Sequence, residues 1–151
     1  MLSPSDLLKK TRIPLKFIKI ERDGLHLSIR AKINNRSAHL LIDTGASKTV
    51  FDSKRIGRFV KETKFDLNDQ LSTGLGTSTM KSHLALIRKI QLGTISVSNY
   101  KSVLLDLSHV NQSYSKLGLK PIDGVLGSDL LSEYKAVIDY QKKVLSLSFR
   151  K

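Results

Sequence analysis

The run Leu40-Leu41-Ile42-Asp43-Thr44-Gly45-Ala46-Ser47 decides how this chain is read. Three apolar residues deliver a carboxylate, and small turn-forming residues follow at once. Burying an acid behind such a strand is costly unless it is hydrogen-bonded or protonated. Thr44 and Ser47 carry hydroxyls, and Gly45 lets backbone N–H groups approach. Taken alone, the triplet Asp43-Thr44-Gly45 also fits an Asx-type turn that simply ends a strand. A second stretch lifts it: Ile122-Asp123-Gly124-Val125-Leu126-Gly127-Ser128-Asp129-Leu130-Leu131. There an apolar-apolar-glycine strand end, Val125-Leu126-Gly127, runs straight into a helix start.

Outward from these two stretches the chain reads as short strands between turn signals. Ile13 to Glu21 is extended, Asp23-Gly24 is a hairpin turn, and Leu25, Leu27, Ile29 and Ala31 alternate with polar positions as a half-buried strand does. Asn34-Asn35 is the next turn. Ser37 to Asp43 is apolar enough for a strand buried on both faces. Thr49 to Phe51 is a short strand and Lys54 to Val60 a helical turn. Leu71 to Lys81, with Gly74-Leu75-Gly76 among Ser and Thr, looks like a hairpin tip. Leu84 to Leu92 is a strand and Gly93 a turn. Ile95, Val97 and the run from Tyr100 to Leu105 are further strands. Leu107 to Leu119 is a loop or short helix. Asp129 to Tyr134 is a short helix with Ser128 as its candidate N-cap. Ala136 to Tyr140, Gln141-Lys142-Lys143 and Val144 to Phe149 form a closing hairpin. The expected class is all-β, a small closed barrel with one or two short helices in a single lobe. Residues 1–12 read as an N-terminal tail and 13–151 as the domain, with no internal duplication.

Composition narrows the chemistry. The 151 residues include no cysteine, which removes disulfides, thiolate metal sites and a cysteine nucleophile. His26, His39, His83 and His109 show no metal-ligand spacing, so no metal site is expected. Gly74 and Gly76 lack the third glycine of a dinucleotide loop, and Gly45-Ala46-Ser47 lacks the second glycine of a nucleophile elbow. The charge is +13, from 26 Lys and Arg against 13 Asp and Glu. The cations are dispersed and no aromatics interleave with them, so the charge implies non-specific attraction to polyanions rather than a nucleic-acid reader. No apolar run approaches the roughly 20 residues of a membrane span. Met1 to Arg12 shows no secretory signal, so a cytoplasmic location is expected.

Together the two motifs carry a resemblance. The chain resembles the retropepsin-like aspartic proteases, the single-lobed relatives of pepsin, over Leu25 to Phe149. In that family an apolar strand delivers Asp-Thr/Ser-Gly-Ala, a later apolar-apolar-glycine strand crosses behind it into a short helix, and a glycine-bearing flap lies between them in sequence. Asp43 to Ser47, Leu71 to Lys81 and Val125 to Leu131 stand in that order. The resemblance implies an acid-protease barrel. It implies Asp43 as catalytic acid and base, Thr44 as a cross-subunit hydrogen-bonding residue, and Gly45 as donor of an N–H toward the carboxylate. Ala46 completes the motif, and Ser47 is the hydroxyl that many cellular relatives place beside the outer carboxylate oxygen. Viral members often carry an acid at that position, partnered by a base after the second glycine. Here that later position is Ser128, so the two departures compensate. Gly74, Leu75 and Gly76 would form the substrate-binding flap. Extra loops at Asp52 to Asp69 and Asp106 to Pro121 lengthen the spacing.

Aspartic proteases need two carboxylates sharing a proton, and this chain holds one Asp-Thr-Gly. The implied enzyme is therefore a homodimeric endopeptidase whose partner chain supplies the second acid, acting on extended polypeptide without a cofactor. The alternative is a retropepsin-fold dimer that binds extended segments by strand addition without cutting them.

Overall fold

The computed structural model describes residues 8–20, 24–61 and 83–150. Its first hairpin shows how the pattern becomes structure. Strand β3 (Gly24–Ile33) and strand β4 (Arg36–Ile42) pair in antiparallel register from Ser28↔Leu41 to Ile33↔Arg36. Asn34 and Asn35 join them with φ of 48° and 69°, the left-handed pair that a two-residue hairpin turn demands. Leu27, Ile29, Ala31 and Ile33 are buried while Arg30 and Lys32 are exposed, as the alternation requires.

The remaining strands close on this hairpin. They are β1 (Leu8–Pro14), β2 (Lys16–Ile20), β5 (Val50–Asp52), β6 (His83–Leu92), β7 (Ile95–Leu105), β8 (Gly124–Leu126), β9 (Val137–Asp139) and β10 (Val144–Arg150). The main sheet runs β2-β3-β4-β8-β5-β7-β6. A second pairing of β6 with β3, at Lys32↔Gln91 and Ile33↔Ile90, closes six of these strands into a barrel. Two contacts within the ring are parallel, β4 with β8 and β5 with β7. Ile29, Ile33, Leu40, Phe51, Ile87 and Leu126 fill the core, each at most 1% exposed. A separate sheet, β1-β10-β9, packs beside the barrel.

Helix α1 (Ser108–Lys116) lies over a second, smaller cluster of Ile18, Tyr114 and Ile122. Burial pushes the Tyr114 hydroxyl up to about 12, and that hydroxyl meets His26 Nδ1 at 2.7 Å. Helix α2 (Ser128–Glu133) follows β8, and a single 3-10 turn spans Ile56–Arg58. Among the described residues no helix is long and apolar enough to cross a membrane.

The structure departs from the sequence reading in several places. The extended run from Ile13 belongs to two strands in two sheets, divided at Leu15, whose N–H reaches Lys143 O at 2.9 Å. Strand β1 begins at Leu8, within the segment read as a tail, and pairs along its length with β10. Strand β4 is not buried on both faces: Ala38 and Leu40 are, Leu41 and Ile42 are half-buried, and Asp43 is exposed. Its outer face meets only the smaller cluster. Ser128 is not the N-cap of α2; Gly127 holds that position and Ser128 is the first helical residue. The loop at Asp106 to Pro121 contains α1. The proposed flap, with Gly74, Leu75 and Gly76, and the Asp23 of the first turn lie outside the described residues.

Candidate active site

Parallel pairing brings the two motifs together. Strand β4 and strand β8 register Ile42 beside Leu126, so the residues that follow them, Asp43 and Gly127, are neighbours at one end of the barrel. The Asp43 N–H donates to Leu126 O at 3.0 Å, and the Ser128 N–H donates to Ala46 O at 2.7 Å. The position after the second glycine thus joins the first motif through its backbone. A side chain at Gly127 would place its Cβ 2.6 Å from the Lys48 carbonyl and 2.8 Å from Ala46 O. Only glycine allows that approach.

The loop that carries Asp43 is a tight turn. The Gly45 N–H donates to Asp43 Oδ1 at 2.9 Å, and the Ala46 N–H donates to Asp43 O at 3.1 Å. Among the described residues no other group bonds to the Asp43 carboxylate. Asp43, Thr44, Gly45 and Ser47 are exposed and Ala46 is half-buried. Within one chain the acid is therefore not buried, contrary to the expectation drawn from its apolar strand. Neither the Thr44 nor the Ser47 hydroxyl makes a hydrogen bond among the described residues.

Beneath the turn lies a polar clamp. The Gly127 N–H donates to Thr49 Oγ1 at 2.9 Å, and that hydroxyl donates to Asp129 Oδ1 at 2.8 Å. The Thr49 N–H donates to the same Oδ1 at 2.9 Å. The Tyr100 hydroxyl donates to Asp129 Oδ2. Burial pushes the Asp129 carboxyl up, but hydroxyls of Tyr100 and Thr49 and backbone N–H groups of Leu130 and Thr49 outweigh it and hold the group below its ordinary value. Burial, followed by the adjacent Asp129 carboxylate, pushes the Tyr100 hydroxyl well up, so it stays a donor. Thr49, Tyr100 and Asp129 were not singled out as site residues by sequence. Asp129 had one local signal, an acid in the first turn of a helix, where negative charge is favoured. Tyr100 had none, because it reaches the clamp only through the register of β5 with β7.

Other aspartates have structural work. Asp123 is buried and accepts from Arg55 Nε at 2.7 Å and from the His39 N–H at 2.8 Å. Asp52 is buried and accepts from the Leu107 N–H at 3.1 Å and from Asn111 Nδ2 at 3.2 Å. Asp139 caps the closing turn through the Lys142 N–H at 2.8 Å. Among the described residues no three His, Cys, Asp or Glu side chains gather where they could hold a metal ion.

Residues 29–130, which include both motifs, match the family described as aspartyl protease. Among solved structures the fold is similar to a retropepsin-like aspartic protease from Rickettsia conorii, at 20% identity and a TM-score of 0.55 over 95% of this chain and 94% of that one. It is also similar to the retroviral protease-like domain of Ddi1 from Leishmania major, at 13% identity and a TM-score of 0.55 over 83% of this chain and 90% of that one. At such identities the likeness speaks to fold alone. No curated protein sequence matches the chain. The barrel, the crossing of its two motifs and the family match agree: the chain belongs to the aspartyl protease family and has the retropepsin-like fold.

Proposed function

We propose that the protein is an aspartic endopeptidase that acts as a C2 homodimer, with Asp43 of each chain forming the catalytic pair. The observation that carries this reading is the state of Asp43: an exposed carboxylate on a rigid turn, bonded among the described residues only by the Gly45 N–H. The remaining acids of the motif region, Asp123 and Asp129, are committed to partners of their own. A two-fold axis beside the turn supplies a second, identical acid.

Two carboxylates brought this close share one proton, because like charges at that distance cannot both ionise. The ionised member takes a proton from a water molecule while the protonated member donates to the scissile carbonyl oxygen. Water oxygen adds to the carbonyl carbon. Collapse of the tetrahedral intermediate breaks the C–N bond, and the leaving amine takes the proton. Thr44, whose hydroxyl has no partner among the described residues, would bond across the axis and lock the two turns together. Ser47 would bond the outer carboxylate oxygen once the pair is assembled. Ala46 ties the turn to α2 through Ser128. The chemistry uses the two acids and water, and polypeptide in extended form is the substrate.

The test pairs activity with assembly. Wild-type protein should cleave an unstructured polypeptide such as reduced, alkylated casein, and Asp43→Asn should abolish cleavage with an unchanged far-ultraviolet spectrum. Excess Asp43→Asn chains mixed with wild type should suppress activity through heterodimers that hold one competent acid. Cleavage by the Asp43→Asn protein sinks the assignment. Peptide binding by a wild-type dimer that never cuts would instead identify a strand-adding binder.

A further inference from the structure

A cleft of about 610 Å³ opens far from the Asp43 turn, at the other end of strand β4. Asp43 does not line it. His39, which does, stands four residues before Asp43, or about 13 Å along an extended strand. The volume falls within the roughly 300–1,000 Å³ usual for small-molecule sites.

Two polar atoms in this cleft have no partner among the described residues. Ser28 is wholly buried, yet its hydroxyl makes no hydrogen bond. His39 Nδ1 lies 3.1 Å from Pro121 O. A carbonyl only accepts, so Nδ1 carries the proton and Nε2 of the neutral ring is a buried acceptor without a donor. Buried polar atoms are nearly always satisfied, so two orphans on one cleft wall point to a missing ligand.

The surroundings define what that ligand is. Pro14 and Pro121, which keep surface exposed, line the cleft beside Leu15 and give it an apolar wall. Lys16, Arg30, Arg58 and Lys120 are exposed residues of the same cleft and give it a cationic rim. The one carboxylate of the lining, Asp123, is already engaged by Arg55 at 2.7 Å. The rim therefore has an unbalanced positive charge beside an apolar wall, with a hydroxyl and an imidazole acceptor between them.

We propose that this cleft binds an organic anion, a phosphate or carboxylate joined to an apolar body that carries a hydrogen-bond donor. The anion meets Arg30, Arg58, Lys16 and Lys120. The apolar body rests on Pro14 and Pro121, and its donor reaches His39 Nε2. The Ser28 hydroxyl turns to the ligand as donor or acceptor. The site is separate from the peptidase reading and stands whether or not Asp43 cuts peptides.

The experiment is a chemical-shift titration of the ¹⁵N-labelled protein with four probes: 4-hydroxyphenyl phosphate, 4-hydroxyphenylacetate, inorganic phosphate and 4-methylphenol. Either organic anion should bind saturably, with shifts centred on Ser28, Arg30 and His39. The tighter of the two assigns phosphate or carboxylate as the head group. Inorganic phosphate and 4-methylphenol should each bind about tenfold more weakly or worse, because each lacks half of the contacts. Arg58→Glu combined with Lys120→Glu, both exposed positions, should weaken the organic anions about tenfold or more with the fold unchanged. Ser28→Ala should weaken them by about threefold or more. Absence of saturable binding by both organic anions overturns the proposal. So do shifts centred elsewhere, inorganic phosphate binding as tightly as its aryl ester, or affinity indifferent to the charge reversals.

Discussion

Asp129 links the chemistry of the Asp43 turn to acidity. Its carboxyl titrates below the ordinary 3.8 in the folded chain. A group with a depressed folded value adds stability above its unfolded value, and that stability is lost as pH falls through the folded one. The clamp therefore loosens only in acid below about pH 4. A carboxylate pair sharing a proton favours the acidic side of neutrality, so the two requirements overlap in a mildly acidic window. Peptidase activity should peak there and fall below about pH 4 together with the folded fraction, as parallel activity and circular dichroism profiles will show. Thr49→Val should cost about 1–3 kcal/mol in urea unfolding, because it strands the buried Gly127 N–H and removes a donor from Asp129. Asp43 was legible in sequence because three apolar residues and a turn triplet are local signals. The Thr49–Tyr100–Asp129 clamp was not, since its members meet only through strand register.

Among the elements, the short strand β8 has the most demanding packing. It is threaded between β4 and β5, parallel to one and antiparallel to the other. Gly124 makes this possible: a Cβ there would stand 2.6 Å from Val50 O and 2.9 Å from the Phe51 ring. Gly124→Ala should force β5 and β8 apart, lower stability by about 1–3 kcal/mol and disturb the Asp43 turn, measurable as a lower melting temperature with reduced peptidase turnover. Strands β3 and β4 were legible because an alternating pattern and an Asn-Asn turn are sufficient for a hairpin. The break at Leu15 was not, since continuous extended sequence carries no mark of which sheet each half joins. The Leu8 to Arg12 part of strand β1 has the pattern of a tail, because Lys9, Lys10 and Arg12 face solvent and Thr11 alone is buried. Two-face burial of β4 was overestimated because apolar content alone does not say how much cover an outer face receives.

For the whole molecule, charge opposes the proposed assembly. Two copies at +13 each repel one another before any contact forms. The dimer should tighten as salt rises from about 20 to about 200 mM, and specific activity should fall on dilution below the dissociation constant; sedimentation and rate measured on the same samples check both. Activity proportional to chain concentration down to a demonstrated monomer would defeat the dimer. The order of the motifs along the chain adds a consequence of another kind. The turn that presents Asp43 is held by residues about 80 positions later, as Thr49 is by Asp129. During synthesis the acid leaves the ribosome long before the strand and helix that fasten it. A nascent or stalled chain carries the nucleophile-activating residue without its setting. Hydrolytic power, on the reading proposed above, is thus withheld by translation itself until β8 and α2 have been made, which shields the ribosome's other products from a half-finished protease.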